Sequence, residues 1–121
     1  MAAQLKTTII AQFTGLGKAL EFLETSTTTT TPTRAAYIYQ VQGVADTAEA
    51  LDLGDVTTPE LILIKCVAND VDIDTSYLAS FSAEITVNEG EWAAFKPVGT
   101  VYLKNDDSAE SFTIEALVIG T

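Results

Sequence analysis

The sequence predicts an all-β protein that folds as a single antiparallel β-sandwich or jelly roll over residues 1–121, with about eight or nine strands. Hydrophobic residues recur mainly with a period of two, which is typical of a strand with one buried face. Clusters of Gly, Pro, Asn and Asp separate these short segments at regular intervals. No segment of about ten or more residues shows the helical period. An α/β enzyme fold is therefore not expected.

The N-terminal region predicts two strands joined by a turn. Residues 7–13 alternate, with the odd-numbered apolar side chains on one face. The glycines within residues 15–18 favour a β-turn. Residues 20–23 fit either a strand or one helical turn, and a strand is favoured.

A low-complexity stretch follows these two segments. Residues 25–33 are all threonine except Ser26 and Pro32. Their β-branched side chains favour an extended backbone, and their uniformity defines no core-facing side. We interpret the stretch as an exposed loop or extended arm. Residues 1–13 and 25–34 are therefore predicted as possible attachment arms of the single domain.

The middle of the chain predicts an amphipathic strand, a short helical turn and a buried strand. Residues 37–41 alternate as a strand does. Asp46 precedes Glu49 by three positions, which is the spacing of a helix cap, so a helical turn is expected there. Residues 61–68 are apolar at both alternating sets of positions. This pattern is typical of a central strand that is covered on both faces.

The C-terminal region shows the clearest strand pattern. Alternation over residues 81–87 predicts a strand, residues 88–90 a turn, and residues 91–95 the next strand. Residues 101–104 and 111–119 predict two more strands around an Asn-Asp turn. In the last strand, one face is expected to carry Phe112, Ile114, Ala116 and Val118.

Composition and charge exclude several classes of function. The chain has 17 acidic and 6 basic residues and a formal net charge of −11, which argues against binding to nucleic acid or to an anionic membrane. Histidine is absent, which removes histidine-based catalytic triads and most zinc sites.

The single cysteine, Cys66, lies in an apolar run and is expected to be a small buried hydrophobe. The first residues lack a long apolar signal segment, so synthesis in the cytosol is expected. We predict a protein that is not an enzyme and needs no cofactor.

The sharpest metal candidate is the alternating acidic set Asp70, Asp72 and Asp74. These carboxylates match the first ligand positions of a calcium loop. Positions six and twelve of such a loop would be Thr75 and Phe81, where calcium loops carry glycine and glutamate. The same alternation also fits a strand with an acidic outer face and apolar residues inside. We favour the strand, and a weak cation site remains the alternative.

The aromatic residues allow two interpretations. Several of them exposed on one sheet face would form a platform on which sugar rings stack, as in carbohydrate-binding modules. In the interpretation that we favour, Tyr37 and Tyr39 fill the core with their hydroxyls at its rim, while Trp92 caps one end. The residues concerned are Tyr37, Tyr39, Tyr77, Trp92 and Tyr102.

Residues 48–121 resemble a known group of proteins in their order of turns and strands. The order begins with Leu-Gly-Asp-Val-Thr-Thr-Pro at residues 53–59, followed by an apolar strand and an Asn-Asp turn. An Asn-Glu-Gly-Glu turn before an aromatic residue (88–92) and Val-Tyr-Leu-Lys-Asn (101–105) complete it. This order is similar to that of small β-sandwich structural proteins of tailed bacteriophages, of the capsid decoration (cement) or head-fibre type.

The resemblance implies a virion structural protein, made in the host cytoplasm and bound to the exterior of the capsid. Its implied partners are the major capsid protein and further copies of the same chain, with a homotrimer as the expected assembly. A tail or fibre module that binds host carbohydrate is the main alternative. A small glycan hydrolase, which needs two carboxylates facing each other across a groove, is a weaker one.

Overall fold

The computed structural model describes residues 4–15, 17, 20–28 and 32–121. The chain divides into two compact units, residues 1–33 and residues 34–121. The described residues form ten strands, which pair in antiparallel fashion. The predicted all-β class is confirmed, with ten strands in place of eight or nine. The strands are β1 Leu5–Phe13, β2 Leu20–Thr28, β3 Arg34–Val41, β4 Glu49–Ala50, β5 Pro59–Ala68, β6 Val71–Tyr77, β7 Ile85–Val87, β8 Trp92–Phe95, β9 Thr100–Asn105 and β10 Thr113–Gly120.

The first unit is a β-hairpin of β1 and β2. Its register runs from Leu5 opposite Thr28 to Phe13 opposite Leu20. The first part of the threonine stretch, residues 25–28, thus belongs to a paired strand. Of the two predicted alternatives, the loop is wrong for these residues and the extended backbone is confirmed. Threonine is well suited to this role because β-branched side chains favour strands. Residues 1–3, 16, 18–19 and 29–31, which include parts of the predicted arms and turn, lie outside the described residues.

The second unit is a sandwich of two four-stranded sheets. Sheet I has the strand order β3-β10-β5-β8, and sheet II has the order β4-β9-β6-β7. Alternate residues of both sheets meet in one hydrophobic core. The fully buried side chains of this core include Ile62, Ile64, Ile114 and Val118 from sheet I and Val71, Ile73 and Leu103 from sheet II.

Strand β10 occupies an interior position in sheet I. It pairs with β3 on one side, from Thr113 opposite Val41 to Gly120 opposite Arg34, and with β5 on the other. The predicted face of this strand is confirmed, because every one of its four residues is buried. Those residues are Phe112, Ile114, Ala116 and Val118.

The end of β10 lies unusually close to the backbone before β5. A Cβ atom on Gly120 would lie 2.0 Å from the Thr58 carbonyl oxygen and 2.9 Å from the Pro59 Cα atom. The pairing shifts register just before Gly120, and Thr121 N then donates to Thr58 O over 3.0 Å. Only glycine lets the two backbones approach this closely.

We expect Gly120→Ala to lower the free energy of unfolding by about 1–3 kcal/mol, because backbone atoms must move to admit the methyl group. Chemical denaturation followed by circular dichroism measures this change. A variant as stable as the wild type would show that the backbone at Thr58 can move away from the added methyl group at no cost in folding free energy.

Two local predictions are wrong, and each was overturned by a side-chain carboxylate. The helical turn predicted over residues 46–51 does not form: Glu49–Ala50 is the strand β4. Asp46 adopts a φ of 65°, and its carboxylate accepts from Ala109 N over 2.9 Å. The strand predicted over residues 81–87 is limited to β7. Asp74 Oδ2 accepts from Ser82 N over 2.9 Å, which holds the preceding residues in a loop.

Candidate binding face

The outward side of sheet I carries exposed aromatic residues. In β3, Ala36 and Ile38 pack against the core, so the alternating residues Tyr37, Tyr39 and Val41 point away from it. Tyr37 is 69% exposed and Tyr39 63% exposed. The prediction that these tyrosines fill the core is wrong. The period of two was correct, but the buried set is the one that contains Ile38.

The neighbouring strands extend this surface with aliphatic residues. In β5, Ile62, Ile64 and Cys66 are buried, while Lys65 and Val67 are exposed. Strand β5 is therefore interior within its sheet but is not covered on both faces, which corrects the prediction. We call the outward surface of sheet I the outer face, and its apolar members are Ala35, Tyr37, Tyr39, Val41, Leu61, Leu63, Val67, Trp92, Ala94, Leu117 and Ile119.

Cross-strand register places two charged residues in the middle of this face. Glu115 lies opposite Tyr39 on one side and opposite Lys65 on the other, and Lys65 lies opposite Trp92. One row across the sheet therefore reads aromatic, acidic, basic, aromatic. Trp92 is 63% exposed, so the prediction that it caps an end of the core is also wrong.

A groove of about 270 Å³ lies on the outer face between Tyr37 and Trp92. Its remaining lining includes Lys65, Glu115 and Leu117. The Tyr37 hydroxyl donates to Glu115 Oε2 over 2.8 Å, which fixes the ring at the rim of the groove. This hydrogen bond, with the adjacent negative charge, raises the pKa of Tyr37 above its usual value. The hydroxyl thus remains a hydrogen-bond donor.

The outward side of sheet II has a different character. Asp72 lies opposite Thr86 on one side and Lys104 on the other, and Thr86 Oγ1 donates to Asp72 Oδ1 over 2.5 Å. Tyr77 and Tyr102 stack on each other, with ring centroids 3.7 Å apart. Two of the five aromatic residues of the alternative platform interpretation are therefore paired with each other on sheet II. The exposed aromatic residues Tyr37, Tyr39 and Trp92 lie on sheet I.

The three candidate calcium ligands take separate roles. Asp74 is buried and accepts from Ser76 N and Ser82 N. Asp70 accepts from Glu89 N over 2.8 Å. Asp72 points outward on sheet II. Within the described part of the chain, no group of three or more His, Cys, Asp or Glu side chains is arranged to hold a metal ion.

Cys66 is fully buried, as the sequence predicted. Its Sγ atom donates to Asn69 O over 2.9 Å. Burial, together with the negative charges of Asp70 and Glu89, raises the pKa of Cys66 to about 11. The neutral thiol is therefore the stable form, and it fills space in the core.

The hairpin exposes large apolar side chains on both of its sides. Facing residues in an antiparallel pair share one side. Ile10 and Leu23 form one such pair and are 63% and 55% exposed. Ile9, Phe13 and Phe22 lie on the opposite side and are 41–54% exposed.

No helix long and apolar enough to span a membrane occurs in the part of the chain that the structure describes. Comparison with known proteins found no matching family model, no matching curated protein and no matching solved structure.

Proposed function

We propose that this chain is a structural protein of a phage virion that decorates the exterior of the head shell and stabilises it. It acts as a homo-oligomer, a trimer, whose partner is the major capsid protein. The observation that carries the proposal is the β1–β2 hairpin, which exposes apolar side chains on both sides. The phage assignment itself comes from the resemblance of residues 48–121 to small virion proteins.

An isolated two-stranded hairpin is marginally stable in water. The hairpin here also exposes Ile10 and Leu23 on one side and Phe13 and Phe22 on the other. Both sides are buried together where protein lies above and below the ribbon. A seam between neighbouring capsid subunits, or between copies of this chain, offers such a place. The hairpin therefore suits the role of an attachment arm.

Stabilisation of the shell follows from mass action. A protein that binds the assembled shell, and not its separated subunits, shifts the equilibrium towards assembly. Burial of a large aliphatic side chain contributes about 1.5–3 kcal/mol. Association itself costs about 4–15 kcal/mol, so tight attachment requires that several hairpin side chains are buried together. The net charge of −11 suits an outer position because it disfavours contact with packaged nucleic acid.

We expect the double variant Ile10→Ala/Leu23→Ala to bind head shells about a hundredfold more weakly than the wild type, because two apolar contacts are lost from one side of the arm. The assay adds purified protein to undecorated shells of the parent phage and measures bound protein and the temperature at which the shells open. The matched control is Thr8→Ala/Thr25→Ala, the adjacent pair on the same side, whose hydroxyls lie 3.0 Å apart.

The results separate two failures. If both double variants bind as the wild type does, the hairpin is not the attachment arm. If the wild-type protein neither binds nor stabilises shells, head decoration is wrong. Light scattering on the free protein tests the assembly, since a trimer has three times the protomer mass of 12.9 kDa.

A further inference from the structure

We propose that the groove between Tyr37 and Trp92 on the outer face binds a short stretch of a neutral glycan. This inference goes beyond head decoration and does not depend on it, because the groove lies in the sandwich and the proposed attachment arm is the hairpin. A bound saccharide would lie along the row of Lys65 and Glu115, between the two aromatic rings.

The aromatic rings provide the apolar part of the site. Tyr37 and Trp92 are each more than 60% exposed, and both line the same groove. One side of a pyranose ring presents mainly C–H groups, which pack well on an exposed aromatic surface. Leu63 and Leu117 add apolar lining between the rings. The groove thus has two flanking aromatic residues and an apolar base.

The exposed lining of the groove is almost entirely apolar, so the polar contacts would come from the charged groups of Lys65 and Glu115 beside it. Sugar hydroxyls both donate and accept hydrogen bonds, so they match a carboxylate and an ammonium group that lie side by side. Glu115 and Lys65 are direct cross-strand neighbours in the lining of the groove. Within the described residues, the salt bridge that the structure shows is Arg34–Asp55, so Lys65 and Glu115 are not locked in an ion pair. Few polar groups in a mainly apolar cleft are typical of a small-molecule site.

Charge and size narrow the ligand class. One acidic and one basic side chain leave the groove locally balanced, while the whole chain carries a net charge of −11. A uronic or sialic acid would be repelled by this charge, whereas a neutral hexose or N-acetylhexosamine would not. The volume of about 270 Å³ is near the lower end of ligand clefts, which suits a short stretch of glycan.

Trp92 is the single tryptophan of the chain, so its fluorescence reports directly on the groove. The full chain is titrated with short neutral oligosaccharides of glucose, galactose and N-acetylglucosamine. We expect a saturable change in emission with at least one of them. Tyr37→Ala should weaken this binding about tenfold, because it removes one stacking surface and the hydroxyl that orients Glu115.

Tyr39→Ala is the matched control, since Tyr39 is as exposed as Trp92 and lies on the same face but outside the groove. It should change binding by less than about twofold. Absence of a saturable signal with every sugar up to about 10 mM would refute the site. An equal loss in both variants would also refute it. A fall in solution mass for Tyr37→Ala would show instead that the outer face joins copies of this chain.

Discussion

Replacement of Phe112 with alanine is expected to lower the free energy of unfolding by about 3–5 kcal/mol. Phe112 is the largest fully buried side chain in the structure, and it lies just before β10. Its backbone is fixed on both sides, because Phe112 N donates to Gln42 Oε1 over 3.2 Å and Phe112 O accepts from Gln42 N over 3.0 Å. Since this backbone cannot move inward, the cavity left by the ring would stay largely open.

Urea unfolding followed by circular dichroism measures the effect of Phe112→Ala. Leu78→Ala serves as the control within the same unit, because Leu78 is 91% exposed. It should change stability by less than about 0.5 kcal/mol. A loss below about 1 kcal/mol for Phe112→Ala would mean that the core collapses around the missing ring.

Replacement of Asn105 with alanine is expected to destabilise the sandwich by about 2–4 kcal/mol, because it leaves several partly buried polar groups without partners. Asn105 is 4% exposed. Its Oδ1 atom accepts from Gln42 Nε2 over 2.9 Å and from Asp46 N over 2.8 Å. Its Nδ2 atom donates to Asp46 Oδ1 and to Asp107 O. One side chain therefore ties β9 to the loop that precedes β4.

The effect of Asn105→Ala should depend on pH. Hydrogen bonds from Ala109 N and then from the Asn105 side chain hold the pKa of Asp46 below its usual value. A lowered pKa in the folded state adds stability above the unfolded pKa, and this stability is lost as the pH falls through the folded value. The free energies of unfolding of the wild type and the variant should therefore differ more near pH 7 than near pH 3. The lower pH is about one unit below the pKa of an aspartate in the unfolded chain.

Thermal unfolding of both proteins across this pH range measures the difference. Asn88→Ala is the control, since Asn88 is exposed in a turn. A pH-independent difference would show that Asn105 acts through Gln42 and not through Asp46.

The sequence was sufficient to predict the buried side of β10, but it was not sufficient to predict which side of β3 is exposed. The alternation in residues 111–119 identified the buried side of β10, because the intervening residues Thr113 and Glu115 are polar. In β3 the set that contains the buried Ile38 also carries Arg34 and Gln40. The other set is apolar or aromatic throughout, so the alternation indicates the wrong set as the buried one. A shift of one residue exchanges the two faces of a strand. Tyr37 and Tyr39 are therefore predicted inside the core, whereas the structure places them on the outer face.

The sequence did contain a signal for the exposed face. Residues 61–68 are apolar at both sets of positions, and this was interpreted as burial on both sides. In the structure the second set lies on the outer face of sheet I. An apolar run on a strand of an antiparallel sandwich thus indicates either a covering layer or a binding surface.

The wrong predictions for the helical turn at Asp46 and for the strand over residues 81–87 have another cause. Both depend on hydrogen bonds from backbone amides elsewhere in the chain to a carboxylate. The Asp74 carboxylate accepts a hydrogen bond from Ser82 N. The Asp46 carboxylate accepts one from Ala109 N, which is 63 residues away in the chain. Patterns within a short window do not record such partners. The alternation of the acidic set 70–74 correctly indicated a strand, but it did not reveal that Asp74 is buried by its hydrogen bonds to backbone amides.

The interior position of β10 has a consequence for synthesis of the protein in the cell. Sheet I cannot form in order along the chain, because β3 and β5 are both neighbours of β10 and not of each other. Until residues 113–120 have left the ribosome, β3 has no partner in sheet I, and β5 has β8 on one side and an unpaired edge on the other. Such unpaired strands are prone to aggregate, and pairings between distant residues form slowly. Completion of sheet I should therefore wait for the synthesis of β10, and yield should depend on chaperone supply during rapid expression.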